Sequence, residues 1–172
     1  MTLNDKPNIR KWLNRYNVKN YTLIPDEQYG FVVNVDGNVN LYNKQISAIE
    51  IKFNIVSDYF YCPLNNLTSL EGYPTLVGGL FNCSRNELTS LEHCPASIGG
   101  GLDIISNKLT NFYHLPKIIS GSFLCHNNEG LGNFQKVVDF SEIKEIAASE
   151  KENNNLCTLL ANIELKQKVS KL

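Results

Sequence analysis

The sequence predicts a mainly β solenoid with helical caps, built from about five units of 21 residues, with a parallel strand face and little or no convex helix. The segment Leu67–Leu70 reads LTSL; it returns 21 residues later at Leu88–Leu91 and again, with two changes, at Leu109–Phe112. Other residue types keep the same interval: Pro74, Pro95 and Pro116; Gly79, Gly100 and Gly121; Asn65, Asn86, Asn107 and Asn128. Units this short cannot bury their own apolar side, so they stack on their neighbours.

Length and composition suit one soluble domain without a strongly charged surface. The chain has 172 residues, 42% of them hydrophobic, and 16 Lys and Arg nearly balance 17 Asp and Glu. We therefore expect neither nucleic acid nor a membrane surface as a partner. The first residues lack the basic and apolar regions of a signal peptide, and no stretch is long enough to span a bilayer, so we expect a cytoplasmic protein.

Residues 1–35 are expected to cap the start of the solenoid with a helix and a hairpin strand. Asn4 or Asp5 can cap the helix. The helix itself is predicted from an apolar stripe at positions i, i+3, i+4 and i+7, formed by Ile9, Trp12, Leu13 and Tyr16. Two alternating runs then flank Asp36-Gly37, which predicts a hairpin leading into the first repeat.

Residues 36–129 carry the repeats, and each repeat opens on a short strand. In the third unit, alternation with period two places Phe81 and Cys83 in the core and Asn82 and Ser84 on the exposed face. Each repeat unit forms one rung of the stack. The asparagine that follows the strand, Asn86, can bond backbone groups of its own rung and of the adjacent rung. Twenty-one residues leave little room for a helix, so we expect the outer side to be extended or to form a single 3₁₀ turn.

The form of these units resembles the consensus of the leucine-rich-repeat proteins, L-x-x-L-x-L-x-x-N-x-L. The last eight positions of this consensus, L-x-L-x-x-N-x-L, form the frame that fits Val39–Ile46, Phe60–Leu67, Phe81–Leu88 and Leu102–Leu109, and the resemblance covers about residues 36–129. The short unit, with a proline in each complete connecting segment, looks like the bacterial short-repeat class. The resemblance implies a leucine-rich-repeat solenoid.

The phrasing of Leu67–Cys83, L-T-S-L-E-G-x-P-x-x-V-G-G-x-F-x-C, is similar to small repeat proteins encoded by tailed bacteriophages. In that group a short N-terminal helix and an N-Y-T-I/L segment precede the first unit, as Trp12-Leu13 and Asn20–Leu23 do here. This resemblance covers about residues 8–125. It implies a phage or bacterial origin and transfers no activity and no catalytic residue.

The period fails after Glu129, and residues 130–172 have a different character. Ser141–Glu152 and Leu156–Lys171 are predicted helices, separated by Asn153–Asn155. The second helix carries an apolar stripe made of Leu156, Leu159, Leu160 and Ile163. Two interpretations stay open: a helical lid on the last repeat, or an arm for partner binding or homodimerisation through residues 141–172.

The five cysteines follow the repeat rather than a metal or disulfide pattern. Cys62, Cys83 and Cys125 share one repeat position, and Ile104 fills the remaining rung. A position that accepts Cys or Ile is apolar, so we predict buried, free thiols. The odd count and the absence of paired C-x-x-C spacings argue against a disulfide framework or structural zinc, and we predict no metal or cofactor site.

The strand face, defined as the side of the repeat strands that points away from the core, is the predicted binding surface. Five rungs about 4.8 Å apart make a face of about 20–25 Å, enough for part of a protein partner but large for a metabolite. Exposed apolar and aromatic patches commonly mark interaction sites. The predicted partner-binding residues are Tyr42, Tyr59, Tyr61, Leu64, Leu80, Asn82, Arg85, Asp103, Ile105, Leu124 and His126. The alternative is that the caps or self-association cover this face.

No catalytic residue is predicted. His93 and His114 lie in outer segments, while His126 lies on the strand face with Cys125 pointing the other way, so no histidine adjoins an outward nucleophile. Cys157 on a predicted helix is interpreted as packing. The recurrent glycine runs precede strands rather than helices, which argues against a phosphate cradle.

We therefore expect a non-enzymatic protein-binding module that binds a host or phage protein through its strand face. Inhibition of a bacterial defence system would fit, on the resemblance alone. The alternative is a structural or assembly protein that self-associates through its C-terminal helices.

Overall fold

The structure, a computed structural model, describes residues 5–131. It is mainly β, with short parallel strands stacked as a solenoid at a spacing of about 21 residues and one helix among the described residues. The predicted fold class is confirmed. The helices predicted within residues 141–172 lie outside the described residues.

The helix α1 (Lys6–Arg15) begins the described fold and confirms the predicted N-terminal helix. The Asp5 carboxylate accepts a hydrogen bond from the backbone N–H of Asn8 at 2.8 Å, which satisfies one of the unpaired donors of the first turn. Ile9, Trp12 and Leu13 are buried on one face. The Trp12 ring lies 5.9 Å from the Phe53 ring, so the helix packs directly onto the core of the solenoid.

Strands β1 (Tyr21–Asp26) and β2 (Gly30–Val35) form an antiparallel hairpin after the helix. The Asp26 carboxylate accepts hydrogen bonds from the N–H groups of Gln28 and Tyr29 at 3.0 and 2.8 Å and closes the turn between them.

The hairpin predicted around Asp36-Gly37 is wrong. Strand β3 (Val39–Asn40) belongs to a different sheet from β2, so the chain turns a corner of the solenoid at Asp36-Gly37. Alternation about a turn cannot distinguish the two cases, because a hairpin and a solenoid corner both place turn residues between short strands.

Each turn of the solenoid contributes one strand to each of two sheets, so the outer side is extended and itself forms a sheet. The six-stranded sheet runs in the order β1, β2, β4 (Phe53–Val56), β6 (Leu76–Val77), β8 (Ser97–Ile98) and β10 (Ile118–Ile119). The five-stranded sheet holds β3, β5 (Phe60–Tyr61), β7 (Phe81–Asn82), β9 (Leu102–Asp103) and β11 (Phe123–Leu124), all parallel. A 3₁₀ turn at Glu129–Leu131 ends the described residues.

The core lies between the two sheets. The ring of Phe81 packs 6.0 Å from Phe60 and 5.6 Å from Tyr73, measured between ring centroids. Cys62, Cys83 and Cys125 are buried and free, as predicted. Burial raises the pKa of the Cys62 thiol to about 12, the hydrogen bond with Tyr73 opposing the shift, so this thiol is protonated at neutral pH.

The repeated asparagines form a ladder along one corner of the core. Asn86 donates to the carbonyls of Cys83, in its own rung, and Cys62, in the preceding rung, at 3.0 and 3.1 Å. Its side-chain oxygen accepts from the N–H of Leu67 at 3.1 Å. Asn65, Asn107 and Asn128 bond the equivalent groups of their rungs. The predicted bonding to both rungs is confirmed.

Candidate functional site

The strand face is the outward side of the five-stranded sheet. The register of its strands places Asn40, Tyr61, Asn82, Asp103 and Leu124 side by side in one column across the five rungs. We call these five residues the middle column of the strand face. Because side chains two residues apart share a face of a strand, the residues at −2 and +2 from this column flank it.

The first two rungs present an aromatic platform. The rings of Tyr42 and Tyr61 stack with centroids 6.0 Å apart and 20° between their planes. The Tyr42 backbone N–H donates to the side-chain oxygen of Asn40 at 3.0 Å, which fixes the chain at the end of β3. Tyr42 is 46% exposed, so the stacked pair contributes aromatic surface to the strand face.

Leu64 and Arg85 lie where each rung leaves the strand face. Both have positive φ, 57° and 53°, and the equivalent residues of the other rungs, Asn43, Ser106 and Asn127, share this conformation. The left-handed conformation costs a non-glycine residue about 1–2 kcal/mol, which the stacking of the rungs must offset. It turns the chain sharply and leaves Leu64 37% exposed at the rim of the face.

A buried polar network occupies the third rung, where the sequence predicts exposed side chains. Asn82 and Ser84 are each only 8% exposed. The Asn82 oxygen accepts from the N–H and hydroxyl of Ser84 at 3.0 and 2.7 Å, and its amide nitrogen donates to Asp103 at 2.9 Å. The prediction of exposed Asn82 and Ser84 side chains is wrong, because neighbouring rungs cover short side chains that bond to each other.

Asp103 is the acidic residue of the middle column. Burial raises the pKa of its carboxyl group; the hydrogen bond from the Ile105 N–H, the charge of His126, the Asn82 amide and the charge of Arg85 oppose this shift. The Ile105 N–H lies 3.1 Å from the carboxylate. The strand face therefore combines an aromatic end with a half-buried carboxylate.

The structure brings all the predicted partner-binding residues onto or beside the strand face. Four are exposed: Tyr42, Leu64, Leu80 and Arg85. Six are half-buried: Tyr59, Tyr61, Asp103, Ile105, Leu124 and His126. Asn82 is buried and offers little surface of its own.

The six-stranded sheet carries a second apolar row that the sequence analysis missed. Register aligns Asn34, Ile55, Leu76, Ser97 and Ile118 on its outer side. Ile55, Leu76 and Ile118 are exposed. Their spacing of 21 residues is visible in the sequence for the last four positions, but only the second sheet shows that they line up outward.

Other kinds of site find no support in residues 5–131. No group of three or more His, Cys, Asp or Glu side chains in this range is placed to hold a metal ion, and none of its helices is long and apolar enough to cross a membrane. His93 and His114 occupy corner positions with φ of 67° and 63°, equivalent to Gly72 at 88°, so their backbone has a structural part in the turn. The N–H groups of Gly99 and Gly100 donate to carbonyls of the preceding rung and are not directed at a ligand.

Comparison with known proteins adds no assignment: no family model, curated protein or solved structure matches the chain.

Proposed function

We propose that this protein is a non-enzymatic protein-binding module that contacts a host or phage protein through its strand face. The observation that carries the proposal is the run of exposed apolar side chains on one rigid sheet, with the stacked pair of Tyr42 and Tyr61 at one end and Leu80 near the middle. Such surfaces supply the anchors from which interface hot spots are made, and strands hold them in place without loss of backbone entropy.

The resemblance to short bacterial leucine-rich repeats and to repeat proteins of tailed phages supports the proposal that the partner is a host or phage protein. A phage protein acting in the bacterial cytoplasm, as an inhibitor of a host defence system, is consistent with that resemblance. The alternative is a structural or assembly protein that self-associates through residues 141–172.

The test is a pull-down from bacterial lysate with the tagged full chain and two matched double variants. Tyr42→Ala with Leu80→Ala removes exposed apolar groups from the strand face. Leu76→Ala with Ile118→Ala removes similar groups from the six-stranded sheet. We expect the second variant to retain the captured protein and the first to bind it at least tenfold more weakly, since one hot spot contributes about 2 kcal/mol.

Two results would contradict the proposal. Retention by the strand-face variant with loss in the six-stranded-sheet variant would move the site to the other sheet. Retention by both variants, with loss on removal of residues 132–172, would favour self-association or binding through the C-terminal segment. Equal melting temperatures of the variants are the control for folding.

A further inference from the structure

Asp103 lies in the middle column of the strand face, between Asn82 on one side and Leu124 on the other. One carboxylate oxygen accepts from the Asn82 amide at 2.9 Å and the other from the Ile105 N–H at 3.1 Å. Both contacts are with uncharged donors. Each carboxylate oxygen can therefore accept a second hydrogen bond.

The hydrogen bonds of Asn82, which lies beside Asp103 in the neighbouring rung, fix the direction of the Asp103 carboxylate. The Ser84 backbone N–H can only donate, so the oxygen end of the Asn82 amide must face Ser84 and the nitrogen end must face Asp103. Asn82 and Ser84 are buried, which holds the amide in this orientation. The carboxylate is therefore preorganised on a rigid strand.

Within residues 5–131, no Lys, Arg or His side chain forms an ion pair with this carboxylate. Arg85 and His126 influence it only at longer range. Both lie C-terminal to the middle column within their rungs, Arg85 by three residues and His126 by two.

The flank of Asp103 away from Arg85 and His126 carries no charged side chain. The residue two positions before it is Gly101, which has no side chain, and the neighbours in that column are Leu80 and Ser122. A Cβ built at Gly101 would lie 2.9 Å from the carbonyl oxygen and 3.0 Å from the hydroxyl of Ser122, and 3.6 Å from Leu80, so these two residues pack closely around Gly101. The flank of the carboxylate away from Arg85 and His126 is therefore lined by uncharged residues.

A protein that covers the strand face would remove the remaining water from Asp103. A desolvated carboxylate without a cation is strongly unfavourable, and the adjoining Ile105 and Leu124 side chains offer no donors. We propose that Asp103 receives an Arg or Lys side chain of the protein partner, which approaches on the uncharged flank. This inference rests on the proposed function and specifies the chemistry of its partner.

The test is selection of random dodecapeptides on the immobilised full chain, on Asp103→Asn, on Glu50→Gln and on the Tyr42→Ala, Leu80→Ala variant. Glu50→Gln is the matched control, because it removes one negative charge from an exposed residue in the connection between β3 and β4. We expect peptides selected on the wild type and on Glu50→Gln to share an Arg or Lys. Their synthetic forms should bind Asp103→Asn at least tenfold more weakly.

A double-mutant cycle completes the test without depending on the folding of one variant. Replacing the shared peptide Arg or Lys by Gln should weaken binding to the wild type by a similar factor and have little further effect on Asp103→Asn. Strand-face-dependent peptides that lack a basic residue, or that bind Asp103→Asn and wild type equally, would overturn this inference and leave the proposed function standing. Absence of any peptide that depends on Tyr42 and Leu80 would overturn both.

Discussion

At the scale of single residues, the stability of this fold depends on polar side chains that complete the backbone bonding of the core. Each ladder asparagine joins two rungs, since its amide donates to carbonyls of both and its oxygen accepts an N–H from the preceding one. At other corners the side-chain-to-backbone bonds stay within one rung. The hydroxyl groups of Ser69 and Ser90 each accept from the N–H two residues later at 3.0 Å. Only small polar side chains can serve both a turn and a buried corner.

We expect Asn86→Ala to lower the free energy of unfolding by about 2–4 kcal/mol. The substitution leaves the buried N–H of Leu67 without its acceptor, and one unsatisfied buried group costs about 1–3 kcal/mol. It also removes one of the two amide donors of each of the carbonyls of Cys62 and Cys83, which keep their bonds with Asn65 and Asn107. Urea unfolding measures the effect. Asn66→Ala is the matched control, because Asn66 is exposed, and it should change the free energy by less than about 0.5 kcal/mol. Equal losses would show that the ladder does not stabilise the fold.

At the scale of elements, strands of two residues are sufficient to form the two sheets because every rung repeats the same register. Glycines stack at the corner after the six-stranded sheet, where the backbones of neighbouring rungs leave no space for a side chain. A Cβ built on Gly78 would lie 2.0 Å from the carbonyl oxygen of Ser57, and one on Gly99 would lie 2.2 Å from that of Gly78. No side chain fits at these positions unless the rungs move apart.

Gly99→Ala should therefore destabilise the protein by at least about 1–3 kcal/mol, the range for an added methyl group in a packed site. Ser97→Ala, two residues earlier in the same turn, is the control and should be nearly neutral, because Ser97 points outward from β8. Thermal melts of both variants give the comparison. A melting temperature for Gly99→Ala equal to that of the wild type would mean that the corner is looser than described.

At the scale of the whole molecule, one hydrophobic core runs without interruption from Ile9 in α1 to Leu131 at the end of the described chain. The helix is part of it, since Trp12 contacts Phe53. In a solenoid each unit contacts only its neighbours, so each rung is stabilised by the rungs packed on either side of it. With about five rungs, we expect the ends to unfold together.

The single tryptophan, Trp12, reports on the N-terminal end and allows a direct test. Leu109→Ala, in a buried position at the other end, should cost about 2–5 kcal/mol and should shift the urea midpoint seen by Trp12 fluorescence as much as that seen by circular dichroism. Thr110→Ala, at the exposed neighbouring position, should shift neither by much. A Trp12 transition that Leu109→Ala leaves unmoved would show that the two ends unfold separately.

The sequence by itself determined the period, the parallel strand face, the N-terminal helix, the ladder asparagines and the burial of Cys62, Cys83 and Cys125. These features depend on spacing and on side-chain polarity, which are local properties of the chain. It also identified the middle column of the strand face, because alternation along each strand and the repeat together define that column.

Only the tertiary structure decided which turn residues join strands of one sheet and which turn a corner, as Asp36-Gly37 shows. It decided likewise that Asn82 and Ser84 are buried and that Ile55, Leu76 and Ile118 form an outward row. The physical reason is that burial and sheet membership depend on what the neighbouring rung places beside a residue. That neighbour is 21 residues away in the chain and about 4.8 Å away in the fold.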